Sequence, residues 1–368
     1  MILPDPGSSS ASAAAEIGEG AALRQVAEIA TALDPEGVVA DPRLPRAYVS
    51  CARSDVVSVV DLVEGTVLAE VPVGQEPMDI VLDEVTGRLF VADLRSDTVS
   101  VIDTEELRLI ASIPVGSYPS GLALDDGRRC LYCGCSLSGT VAVIDVDALA
   151  TVASIEAEHG AGAVAVDPGR ERVYCSNFLA GSVTVADARE NRALHQIEVG
   201  GAPCAVALNP DRDELYVANS TADAVTRIDL RTSEVTGLMK VDRAPVGMTL
   251  GPARDRLYVA NRGAGSLSVL GVADGSEWAR ITVGKGPGGC IVDPVTRRVL
   301  VANAGSSSLT VVEDTLTGPP HVVPQQAQHE LVGRQLPRFA LPDLRTAMVR
   351  TSEEWAERKY ILNFFASW

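Results

Sequence analysis

One period organises this chain. The segment Leu215-Tyr216-Val217-Ala218-Asn219 returns at steps of 42 residues in both directions. Upstream it reads Ala47-Tyr48-Val49-Ser50-Cys51, Leu89-Phe90-Val91-Ala92-Asp93, Leu131-Tyr132-Cys133-Gly134-Cys135 and Val173-Tyr174-Cys175-Ser176-Asn177. Downstream it reads Leu257-Tyr258-Val259-Ala260-Asn261 and Val299-Leu300-Val301-Ala302-Asn303. These are seven copies with no insertion or deletion between them. A unit of this size cannot bury an apolar face by itself, so equal units must stack on one another.

Each unit reads as four short strands. An inner strand follows a Pro-containing turn, as in Pro203-Cys204-Ala205-Val206-Ala207-Leu208. A type I turn comes next, opened by pairs such as Asn209-Pro210 or Asp293-Pro294, where proline presets φ. The Tyr-Val-Ala-Asn segment is the second strand, and the third alternates apolar residues and ends in an acid, as in Val99-Ser100-Val101-Ile102-Asp103. The outer strand is exemplified by Leu109-Ile110-Ala111-Ser112-Ile113. Short strands punctuated by Gly and Pro form blades around an axis. On these motifs the chain resembles the YVTN-repeat family of seven-bladed β-propellers over about residues 22–315. The resemblance implies an all-β ring and says little about activity, since propellers host lyases, lactonases, redox proteins and binding platforms alike.

The seventh outer strand should fall near residue 318, where Gly318-Pro319-Pro320 fits badly. A backward step from the first unit gives Gln25-Val26-Ala27-Glu28-Ile29, which matches Val67-Leu68-Ala69-Glu70-Val71. The N-terminal strand is therefore expected to complete the last blade and remove its open edge.

Composition narrows the partners. A net charge of −18 repels nucleic acid and anionic membrane, so neither is expected. No apolar run approaches the length of a membrane span. Hydrophobic residues at 46% supply a sizeable core, while aromatics at only 4% suit thin, closely stacked sheets. Residues 1–21 read as a disordered tail; they end like a signal-peptide cleavage region without the basic and apolar stretches before it. As written the chain is expected in the cytoplasm, or exported if a signal peptide precedes Met1. Cys130, Cys133 and Cys135 cluster but alternate along a strand, so the seven cysteines read as buried or half-buried thiols of a reducing compartment.

A site on seven equal units must come from differences between copies. The position after the turn proline runs Glu36, Met78, Ser120, Gly162, Cys204, Val246, Gly288; the next runs Gly37, Asp79, Gly121, Ala163, Ala205, Gly247, Gly289. Asp79 is the exception among small residues near the axis, and a carboxylate there must face channel water or a partner. The loops leading into the inner strands should place Glu76, Tyr118, His159, Arg243 and Lys285 around one mouth. The second-to-third turns add Arg53, Arg95 and Arg262. This rim suits a small anion or an acidic segment of a protein partner, against the simpler reading of solvated loop residues. There is no Cys-x-x-Cys-His haem motif, and His159 and His195 are the only histidines in the blades, so no metal and no cofactor are expected. The recurring Asp61, Asp103, Asp145, Asp187 and Asp229 read as turn caps.

The repeat ends after about residue 316. Residues 316–330, with Gly318-Pro319-Pro320 and Gln325-Gln326-Ala327-Gln328, read as a linker. Residues 331–368 carry Gly333-Arg334-Gln335-Leu336-Pro337-Arg338-Phe339-Ala340-Leu341, a polar helical stretch around Ser352-Glu353-Glu354-Trp355, and Tyr360-Ile361-Leu362-Asn363-Phe364-Phe365-Ala366-Ser367-Trp368. In that order these resemble the opening of a TlpA/ResA-type redoxin, a thioredoxin-like α/β domain, with Phe365 in place of the family's Trp. The resemblance implies a Cys-x-x-Cys motif next, on a helix whose N-terminus favours the thiolate. The sequence stops at Trp368, before that nucleophile, so no catalytic residue is expected within 1–368. A gene fragment, a nonsense change, or a UGA selenocysteine codon taken for a stop each account for this. The expected whole is a binding propeller fused to a thiol- or selenol-disulfide oxidoreductase domain. The alternatives are a non-enzymatic scaffold with a vestigial tail, and a lactonase or lyase on the ring.

Overall fold

The computed structural model describes residues 22–318, 340–342 and 349–351. The chain divides into two compact units, Met1–Pro320 and His321–Trp368. In the second, Ala340–Pro342 pairs antiparallel with Val349–Thr351. The tail up to residue 21, most of the linker, and the redoxin motifs before Ala340 and after Thr351 lie outside the described residues.

The first unit holds seven four-stranded antiparallel sheets, the blades. Blade two is representative: Pro77–Asp83, Arg88–Asp93, Thr98–Asp103 and Arg108–Pro114, in spatial order from the axis outward. Second strands are buried on both faces, which is why they read as unbroken apolar runs. Outer strands bury few residues and alternate more. Blade seven takes its inner three strands from Pro287–Val292, Val299–Asn303 and Ser308–Asp314, and its outer one from Leu23–Ala30. The seven inner strands pack against one another in a closed cycle, blade seven against blade one.

Hydrophobic clusters form between blades rather than within them. Tyr48 of blade one packs with Val71, Ile80 and Leu82 toward blade two, and Tyr132 of blade three packs with Val164 and Val173 of blade four. The repeated aromatic thus ties each of the first six blades to the next, with Leu300 in its place in blade seven, and contributes roughly the burial energy of a full core side chain. The recurring acids do cap turns: Asp61 Oδ1 accepts from Val63 N and Glu64 N, and Asp187 Oδ1 from Arg189 N and Glu190 N. The loops into the inner strands and the second-to-third turns share one face, joined by Leu94 N to Glu76 O (3.0 Å) and Arg262 N to Ala244 O (2.8 Å). That face is the mouth.

Candidate functional site

The inner strands converge so tightly that their first turn-facing residues must be small. A Cβ on Gly37 would lie 2.6 Å from Met78 O, and one on Gly121 would lie 2.5 Å from Gly162 O. The backbones therefore leave a channel on the axis, a cavity of about 740 Å³ that opens at the mouth.

Asp79 lines this channel. Its Oδ1 accepts from Ile80 N (2.9 Å) and its Oδ2 from Leu122 N of blade three (2.8 Å). The carboxylate is thus oriented by two blades rather than left free, which refines the expectation that it only faces water or a partner. Part of it is reached from the channel, while protein surrounds the rest. Burial pushes its pKa up to about 6, opposed only by those two N–H donors.

Glu36 is a second axial carboxylate that the sequence reading passed over. Its Oε2 accepts from Arg262 Nη2. This pair reaches from blade six to blade one across blade seven, whose axial residues are Gly288 and Gly289. A Cβ on Gly288 would come within 3.0 Å of Glu36 Oε2 and 3.2 Å of Arg262 Nη2, so glycine leaves the gap that the ion pair fills. Burial raises the Glu36 pKa by more than Arg262 lowers it.

The rim cations do not converge. Arg262 occupies the first position of its turn and lines the channel, as do Leu94, Ser136 and Phe178 at the same position in other blades. Arg53 and Arg95 sit one residue further along and point outside it; both are exposed, and Arg95 is paired with Glu76. Arg53, Arg243 and Lys285 are exposed and have no acid partner among the described residues. They belong to blades one, six and seven, which are consecutive in the ring. His159 and Tyr118 are exposed on the mouth at blades four and three. His195 is on an outer strand, bonded to Ser233 Oγ (3.0 Å).

Opposite Arg53, Arg243 and Lys285 the mouth exposes apolar side chains. Leu137, Phe178 and Leu179 expose 66%, 44% and 73% of their surface there, beside Tyr118. The first turn position was the missed signal, because Leu94, Phe178 and Arg262 all stand in it. All seven cysteines are free, with only Cys130 and Cys204 partly exposed, as expected of thiols packed in blades. Among the described residues no three His, Cys, Asp or Glu side chains are grouped to hold a metal ion, and no helix is long and apolar enough to cross a membrane.

Fold and channel together define a seven-bladed β-propeller with an axial channel. The family model for a lactonase, a seven-bladed β-propeller, matches residues 90–250. A solved structure titled hydrazine synthase from Kuenenia stuttgartiensis is similar at 23% identity and a TM-score of 0.70, over 77% of this chain and 96% of that one. At that identity the likeness concerns the fold. No curated protein matches the sequence.

Proposed function

We propose that the ring is a binding platform that works at its mouth, holding a small anion or an acidic segment of a protein partner on Arg53, Arg243 and Lys285. One observation carries this reading: three cations that make no ion pair among the described residues lie on consecutive blades of a chain with a net charge of −18, where most other arginines are paired internally. Charge of one sign around a mouth raises the local concentration of the opposite sign. Calorimetry with inorganic phosphate and with a short polyglutamate peptide tests it. In an Arg53→Ser/Arg243→Ser/Lys285→Ser variant both should bind at least tenfold more weakly, with an unchanged melting temperature. Equal binding by the variant would sink the proposal.

The family match favours a second reading, lactone hydrolysis in the channel with Asp79 as acid or base. Hydrolysis of simple lactones that survives Asp79→Asn would remove it. The motifs of residues 331–368 support the redoxin extension of the platform: a chain continuing into Cys-x-x-Cys or its selenocysteine form should reduce insulin disulfides, and residues 1–368 should not. Seven free thiols fit a reducing compartment such as the cytoplasm.

A further inference from the structure

We infer that the channel below the mouth selects a small molecule with a primary ammonium group on an apolar body, the ammonium pairing with Asp79. This rests on the reading of the mouth and channel as a binding site, and names what the deep end takes. Asp79 alone carries a charge at its position; the other six blades place Gly or Ala there. No cation among the described residues answers it: Arg262, the channel's guanidinium, is held by Glu36 across the ring, and Asp79 is fixed there by the N–H groups of Ile80 and Leu122. A carboxylate kept against a low-dielectric wall without a counter-charge is paired most favourably by a ligand's own cation, which removes the cost of leaving it alone. Met78, Leu94, Leu122, Phe178 and Met248 give the same cavity apolar surface, between the hydroxyls of Ser120, Ser136 and Ser176. An aromatic or alkyl amine fits both surfaces, and a 740 Å³ cavity holds one comfortably.

The neighbouring titratable groups are Glu36, whose partner is Arg262, and the Cys133 thiol, which burial and Cys135 hold in its protonated form. Asp79 becomes neutral as pH falls through about 6, so amine binding should weaken there.

The test is calorimetry on the full chain with benzylamine, benzyl alcohol and benzoate at pH 7.5 and pH 5. Benzylamine is expected to bind at pH 7.5 at least tenfold more tightly than benzyl alcohol, and to lose tenfold or more both at pH 5 and in Asp79→Asn. The Arg53/Arg243/Lys285 variant should keep benzylamine binding and lose phosphate, which separates this inference from the platform reading. Equal affinity for amine and alcohol overturns the ammonium pocket, as does an unchanged affinity in Asp79→Asn. Should that variant fail to fold, an amine affinity in the native chain that is the same at both pH values overturns it.

Discussion

Asp93 occupies the place that Asn177, Asn219, Asn261 and Asn303 hold in blades four to seven. There the amide donates into its own blade: Asn177 Nδ2 reaches Ser182 Oγ at 2.9 Å and Thr184 Oγ1 at 2.8 Å. The Asp93 carboxylate has to accept instead, from Thr98 (3.0 Å) and Ser100 (2.7 Å), and its Oδ1 is buried without a partner. Burial pushes its pKa up to about 6. A raised pKa in the fold means the neutral form is favoured there, so the penalty is nearly absent below about pH 4, grows from there to about pH 6 and is constant above it. It reaches about 3 kcal/mol at neutral pH. Asp93→Asn is therefore expected to raise the melting temperature clearly at pH 7.5 and much less at pH 4. A gain of the same size at both would discard the charge explanation. The substitution is visible in the repeat, as Asp79 is. Whether such a side chain points into a blade, into the channel or to solvent is not, since the repeat aligns positions without giving directions. The three arginines of the second-to-third turns show the limit: one residue of difference in turn position puts Arg262 on the axis and leaves Arg53 and Arg95 outside it.

At the scale of single elements, the N-terminal strand has the largest consequence. Leu23–Ala30 covers the edge of Ser308–Asp314 along its whole length, with the Arg24–Glu313 ion pair and Ser308 Oγ to Glu28 Oε1 at 2.9 Å added on the side chains. A chain lacking residues 1–30 would leave that strand as an open edge and uncover Ile29's neighbours Leu309 and Val311. Such a chain is expected to melt well below the full one and to form soluble aggregates on size-exclusion chromatography; an unchanged monomer with an unchanged melt would show the closure to be dispensable. This strand was legible by stepping the repeat backwards. The bulges were not. In every blade the pairing of third and outer strands slips by one residue, as between Val59 and Val60 or Val143 and Ile144. The skipped outer residues include Leu68 and Val152, apolar side chains turned to solvent. A bulge adds twist and demands no particular residue type, so the sequence carries no mark of it.

Across the whole molecule, the two faces of the ring differ in kind. Away from the mouth, arginines bridge neighbouring blades: Arg129 to Asp83 at 2.6 Å, Arg128 to Glu171 at 2.6 Å and Arg256 to Asp314 at 2.9 Å. Hydrogen bonds from Arg129 and Thr86 hold the Asp83 carboxyl down at about 2 despite its burial. On the mouth the two sides differ, with Arg53, Arg243 and Lys285 standing among Asp34, Asp55 and Asp242 on blades six, seven and one, and exposed apolar side chains on blades three and four. Seven equal repeats made the ring readable at once, because equal units without insertions admit few other packings. The division of the mouth was hidden for the same reason. It emerges only when the blades are set in a circle and residues far apart in sequence, such as Glu36 and Arg262, become neighbours.

The closure that joins the first strand to the last blade also sets how the ring answers a pull. Its two ends leave side by side, with Thr315 N bonded to Ala22 O at 2.7 Å. Tension applied between them acts at one end of an antiparallel pair and breaks its ladder one rung after another, as a zip opens. The same tension applied between two mouth turns would have to shear several rungs together. Load passing from one end of the ring to the other therefore meets this seam in the direction that opens it rung by rung.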